Sequence, residues 1–494
     1  YPIEQEDGLW KTLLLHQFHD ILPGSSIARV YVEANEAHEK LQADAAQITA
    51  DAAAALMEKK EGVTVFNSLS FERNSIVTLP DSFADGAALS DGSPIPVQKT
   101  KEGVKALVSI PSCGAVSLYP KAAEKTQEAA LPEAEAASIQ KTADGFVMEN
   151  GLVSARINGQ GEVVSFRLKT GNGTADGLSR EYGAGPMNRL RLFKDVPRKF
   201  DAWDIDSNYV CQEIEGACEV AVEPVEEGLE AVLKVTGRIS QSAYTQYIRL
   251  AADSRRLEFE TIIDWKELHR LLKTSFPVNV YAENGINEIQ FGYVERPAHR
   301  SRPYDQERFE VCNHHYSAFR DANGGAAVLN DCKYGISMNE NSLELTLLRA
   351  SAAPEMRADN KVHHFTYAFT AWEGSFMDSD VVRQGYELNV KPYLASGSGQ
   401  DFSMLSIDRA NIILDTMKPA EDGSGDIILR LYESKKAATS ASVQLSRELL
   451  TAGSSVYACD MLENVTEELA VSDGALVLSF HPFEIRTIRI AGPR

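Results

Sequence analysis

The segment Leu13–Ile27, LLLHQFHDILPGSSI, is where chemistry-bearing side chains interrupt an apolar helical run. Leu9, Leu13, Leu14, Phe18 and Ile21 recur every three to five residues, the pattern of one broad apolar helix face. His16, Gln17, His19 and Asp20 fall between them, and Pro23-Gly24 is the stop signal. An imidazole can bind a metal or carry a proton, and a carboxylate can orient that imidazole or accept hydrogen bonds from hydroxyls. Neighbouring helix residues point about 100° apart, so His19 and Asp20 would address two different groups. The same residue types also serve as plain capping or surface groups at a helix end.

The elements that must hold these residues are two long helices within residues 1–61, joined at Leu22–Ser26. Ser25 or Ser26 is a good N-cap for the second helix, whose apolar stripe runs from Ile27 to Leu56. His38 lies on that stripe and reads as a packing histidine. Lys59, Lys60 and Gly62 form a cationic last turn and a glycine stop. Two helices of this length call for a third partner, preceding residue 1. From Val63 the period changes to two, and short strands separated by Asn, Asp, Gly and Pro predict a small β-sandwich over 62–120. Residues 121–142, rich in Ala, Glu and Lys, read as a linker. Runs such as Ala231–Ile239, Leu257–Ile263 and Leu343–Leu348, with no crossover helices between them, predict a large antiparallel sandwich over 143–397. A smaller sandwich follows over 398–494. The fold class is mainly β with an N-terminal α-helical hairpin, part of a helical bundle.

Composition narrows the function. The 494 residues are 44% apolar, ample for several cores, and 24% charged. A formal net charge of −22 argues against nucleic acid or an anionic membrane as partner. No apolar run is long enough to span a bilayer, and no signal peptide is visible. The six cysteines lack CxxC spacing and read as free buried thiols of a reducing cytoplasm. The chain opens on Tyr1-Pro2 and is helical in pattern by Leu9, which reads as part of a longer protein.

The string HQFHDILPGSSI, with Ile27-Ala28-Arg29-Val30-Tyr31 after it, resembles the QFHD–PG–S signature of glycoside hydrolase family 38, the class II α-mannosidases. The resemblance continues through Val65-Phe66-Asn67-Ser68-Leu69, Asp201-Ala202-Trp203-Asp204, Gly292–Pro297, Leu329–Gly335 and His481–Ile485, blocks similar to the bacterial and cytosolic branch. It implies that His19 is a zinc ligand and that Asp20 contacts mannose hydroxyls. It also implies that the largest sandwich is galactose-mutarotase-like. The family's catalytic barrel, with the nucleophile, the acid/base carboxylate and the remaining zinc ligands, has no counterpart in these 494 residues. Retaining hydrolysis needs two carboxylates about 5 Å apart, and zinc needs three or four protein ligands. On this reading the chain is the C-terminal portion of a zinc-dependent retaining α-mannosidase acting on mannose-containing oligosaccharides, inactive without the barrel. The alternative is a non-catalytic carbohydrate-binding β-sandwich protein. Self-association into a homo-oligomer is left open.

Three further groups stand out. Arg349 ends a strand-like run where more distant family members place an arginine near substrate, so it is a second substrate-binding candidate beside Asp20. Trp203, between Asp201 and Asp204, has the aromatic-plus-carboxylate character of a sugar platform, with core packing the favoured reading. His299, Arg300, Arg302, His314 and His315 form a nitrogen-rich stretch that reads as solvated loop.

Overall fold

In the computed structural model, which describes residues 2–121, 136–169 and 177–492, an N-terminal helical hairpin leads into β-sandwiches whose paired strands are all antiparallel. Helix α1 (Ile3–His16) and helix α2 (Ala28–Ala55) pack against each other. The His16 and His38 rings meet at 5.0 Å between them, the packing role expected of His38. α1 buries none of its residues and α2 only Ala34 and Ala53. Trp10, Leu14, Leu15, Phe18 and Leu22 are all more than half exposed.

Four local expectations fail here for identifiable reasons. α1 ends at His16, three residues before His19, because Gln17 to Gly24 continue as successive tight turns; Phe18 O accepts from both Ile21 and Leu22 amides. Ser25 and Ser26 do not cap α2, whose N-cap is Ile27 without a side-chain bond. Their hydroxyls are spent on Asp20 instead. The cationic helix end is also absent: Lys59 and Lys60 already belong to the strand Lys59–Asn67. Gly62, at φ +89°, sits in the register shift between Lys59 and Val63 rather than at a helix stop. A Cβ there would lie 2.6 Å from Leu118 O, so the position admits only glycine.

The large sandwich places a nine-stranded sheet against a six-stranded one. Its strand Leu257–Asp264 alternates fully buried and half-buried residues along its whole length, as a two-residue period requires. Phe166, Phe259, Phe276, Tyr367 and Phe369 fill the centre, Phe276 and Phe369 stacked at 5.5 Å. A closed ring of buried polar groups lies inside: Asn188 donates to Gln246, which donates to Thr261 and Tyr367, and Tyr367 donates back to Asn188. The first small sandwich is not contiguous in sequence. Tyr393–Ser398, expected at the end of the large sandwich, pairs with Lys59–Asn67, and Phe402–Ser403 pairs with Gly114–Pro120. Of the expected linker, residues 122–135 lie outside the described residues, and Ser138–Lys141 is a strand on Gly145–Glu149. The C-terminal sandwich packs a four- and a five-stranded sheet around its own core.

A second apolar cluster welds the sandwiches together. Leu69 and Phe71 of the first, Tyr316 and Trp372 of the large one, Ile413 and Tyr432 of the last meet the helix Val381–Asn389. Among the cysteines only Cys113 is buried; Cys211, Cys218, Cys312 and Cys332 are exposed, near strand ends and sheet edges, against the expectation of buried thiols.

Candidate functional site

His19 and Asp20 lie in the turn after α1, not on a helix, and the turn is fastened at Asp20. Its backbone carbonyl accepts from Ser26 Oγ at 2.7 Å and from the Tyr31 hydroxyl at 3.2 Å, while the Ser26 amide donates to that hydroxyl at 2.8 Å. Ser25 Oγ donates to the Asp20 carboxylate at 3.2 Å. One carboxylate oxygen is thus tied down and the other lies 3.4 Å from His19 Nε2. The His19 side chain is 69% exposed. The PG–S segment is therefore a lock on the His-Asp turn, a role the spacing did not reveal.

The surface facing His19 comes from the large sandwich, about 180 residues further along the chain. The Trp203 and His19 rings stand edge-to-face, 6.4 Å apart. Trp203 is 52% exposed, which overturns core packing as its role. Its loop is fixed from beneath by Arg349, at the end of the strand Ser342–Arg349. Arg349 Nε donates to Asp195 at 2.7 Å, and its terminal nitrogens donate to the carbonyls of Ala202 (3.3 Å), Asp201 (3.4 Å) and Asp204 (2.7 Å). The planar fork of arginine suits this many-handed grip; a lysine has one point of charge. Asp201 accepts from the Ala352 amide at 2.6 Å and pairs with His269 Nε2 at 3.0 Å. Burial pushes the Asp201 carboxyl up, but these partners hold it below the ordinary carboxylate range. Further along, the Tyr209 hydroxyl and the fully buried Lys273 ammonium both bond Glu310, tying the loop's far end to the sheet.

The structure thus brings together His19, Asp20 and Trp203, with Arg349 supporting Trp203 through backbone. Arg349 spends most of its donors on protein groups, so its visible work is positioning. The nitrogen-rich stretch does not converge: Arg302 clasps Asp305, His315 pairs with Glu288, and His314 packs on Tyr334. Spacing alone could not find Asp195 or His269, which act through contacts of long sequence separation, nor the hydroxyl of Tyr31, which reaches back to Asp20.

A zinc site takes three or four ligands at about 2.0–2.3 Å. Among the described residues no group of three His, Cys, Asp or Glu side chains gathers in a way that could hold a metal. The residues present do not fit a complete zinc site; they offer one accessible imidazole.

Comparison with known proteins is consistent along the chain. Residues 1–56 match the alpha mannosidase middle domain, 148–357 the glycosyl hydrolases family 38 C-terminal domain, and 411–488 the family 38 C-terminal beta sandwich domain. Alpha-mannosidase 2C1 of Homo sapiens is 31% identical over 99% of this chain, and Alpha-mannosidase G of Dictyostelium discoideum 30% over 97%. The chain spans 46% and 47% of their lengths, somewhat under half. An alpha-mannosidase from Enterococcus faecalis V583 shares the fold at a TM-score of 0.77, with 15% identity, over 99% of this chain and 64% of that one. No helix among the described residues is long and apolar enough to cross a membrane. With three consecutive domain models of one family in their expected order, the chain belongs to glycosyl hydrolase family 38, of which it carries the middle and C-terminal domains.

Proposed function

We propose that these domains complete the active site of a zinc-dependent retaining α-mannosidase, with the cleaving carboxylates supplied by a catalytic domain outside residues 1–494. The observation that carries this reading is the His19–Asp20 turn, locked by Ser25, Ser26 and Tyr31 yet open to solvent. A turn held this firmly around an accessible imidazole suits a group that must meet a ligand set arriving from another domain. In this reading His19 supplies one metal ligand and the Asp20 carboxylate accepts hydrogen bonds from mannose hydroxyls. The uncovered apolar residues Trp10, Leu14, Leu15 and Phe18 are the neighbouring surface such a domain would cover. The relatives' length beyond the matched half leaves room for it.

The experiment compares the 494-residue chain with the same chain joined to a family catalytic domain, on an aryl α-mannoside with added zinc. The chain alone gives no turnover and retains no zinc through gel filtration; the joined protein does both. In the joined protein His19→Ala loses the metal, while Asp20→Ala keeps it and raises KM. Turnover by residues 1–494 alone would refute the reading, because it would require a carboxylate pair within them.

A further inference from the structure

We propose that Trp203 is a sugar-stacking platform of the same site, its indole face packing on the C–H face of the pyranose whose hydroxyls reach Asp20. The inference rests on the mannosidase reading above and adds to it a substrate-contacting residue from the large sandwich.

Exposure is the first argument. A tryptophan has the most apolar surface to hide, and this one leaves half of its surface in water although its neighbour Ala202 is buried. The loop turns the larger group outward and the smaller one in. Stiffness is the second. Arg349 grips the carbonyls of Ala202 and Asp204, the residues on either side of Trp203. Its own amide, and that of Asp204, donate to Phe200 O at 2.8 Å. Asp201 is pinned by Ala352 and His269. The backbone that carries the ring is therefore fixed, so a ligand can use the exposed half of the indole without first ordering the loop. Position is the third. The indole stands edge-to-face with His19, and the Asp20 carboxylate lies 3.4 Å from that imidazole. A flat apolar wall beside a carboxylate and an imidazole matches a pyranose, which has an apolar C–H face and a rim of hydroxyls. A purely apolar docking partner would desolvate that carboxylate and offer it no donor beyond Ser25 and His19.

The test uses the chain joined to its catalytic domain and reads KM and kcat separately on an aryl α-mannoside. Trp203→Ala raises KM roughly tenfold, the size of one good aromatic contact, with kcat within about twofold and metal content unchanged. Trp203→Phe, which keeps an aromatic face, brings KM back to within about threefold of the parent. Leu462→Ala, 83% exposed in the C-terminal sandwich, leaves KM unchanged. An unchanged KM in Trp203→Ala overturns the proposal. So does loss of kcat and metal together, which would make Trp203 a support for His19, and so does a Trp203→Phe variant no better than alanine. His19→Ala separates the two levels: if it kept metal and turnover, the site reading itself would fail and the platform with it. If His19→Ala is dead while Trp203→Ala is normal, only the platform falls.

Discussion

Replacing Arg349 tests whether this residue positions Trp203 or touches substrate. Its side chain is 21% exposed and that of its partner Asp195 only 4%, joined by a 2.7 Å bond. Removing one member of a buried pair typically costs about 3–5 kcal/mol, because the other charge is left without compensation. Partial exposure of the guanidinium argues for the lower end, so Arg349→Ala should destabilise the large sandwich by about 3 kcal/mol. Asp195→Ala leaves the three carbonyl contacts in place and should cost about 1–2 kcal/mol. The double variant should then fall short of additivity by roughly 1–2 kcal/mol, the signature of a shared contact. Chemical unfolding of the four proteins closes the cycle. Hydrogen exchange supplies the local readout: the Trp203 and Asp204 amides, both bonded to Phe200 O, should exchange about a hundredfold faster in Arg349→Ala. An Arg349→Ala cost under about 1 kcal/mol, additivity with Asp195→Ala, and unchanged exchange would refute the positioning role. They would return Arg349 to the substrate contact that the resemblance implies.

Two further outcomes are expected from the same framework. Burial alone would raise the Glu258 carboxyl, but Arg256, Lys391 and Arg249 outweigh it and bring it down to about 2. A depressed carboxyl stabilises the fold above its unfolded value near 4.3 and loses that contribution as pH falls toward 2, so Glu258→Gln should be less stable at pH 7 by about 2–3 kcal/mol and show a flatter decline between pH 4.5 and 2 in thermal melts; a parallel decline would contradict it. Gly62→Ala, forced to φ +89° with its Cβ 2.6 Å from Leu118 O, should lower stability by about 2 kcal/mol, whereas Gly92→Ala, at φ +85° but with open space, should cost roughly half as much.

Part of the architecture follows from local chemistry alone. The apolar period near 3.6 in residues 9–56 produced two helices, and alternation in segments such as Leu257–Asp264 produced strands of the expected extent. The HQFHD string, a short and specific pattern, marked the turn that carries His19 and Asp20. Tertiary structure decided what had no local signature. Whether Ser25 and Ser26 cap a helix or lock a carbonyl depends on where Tyr31 comes to lie, one helical turn later. Whether Tyr393–Ser398 closes the large sandwich or the small one depends on a free edge presented some 330 residues earlier. The same holds for Trp203 and Arg349. An aromatic residue between two aspartates is compatible with burial or display, and an arginine at a strand end with substrate or with scaffold. Only the arrival of Asp195, the loop carbonyls and the His19 turn at one place selects between them, because hydrogen bonds and desolvation act over a few ångströms and sequence separation carries no information about that distance.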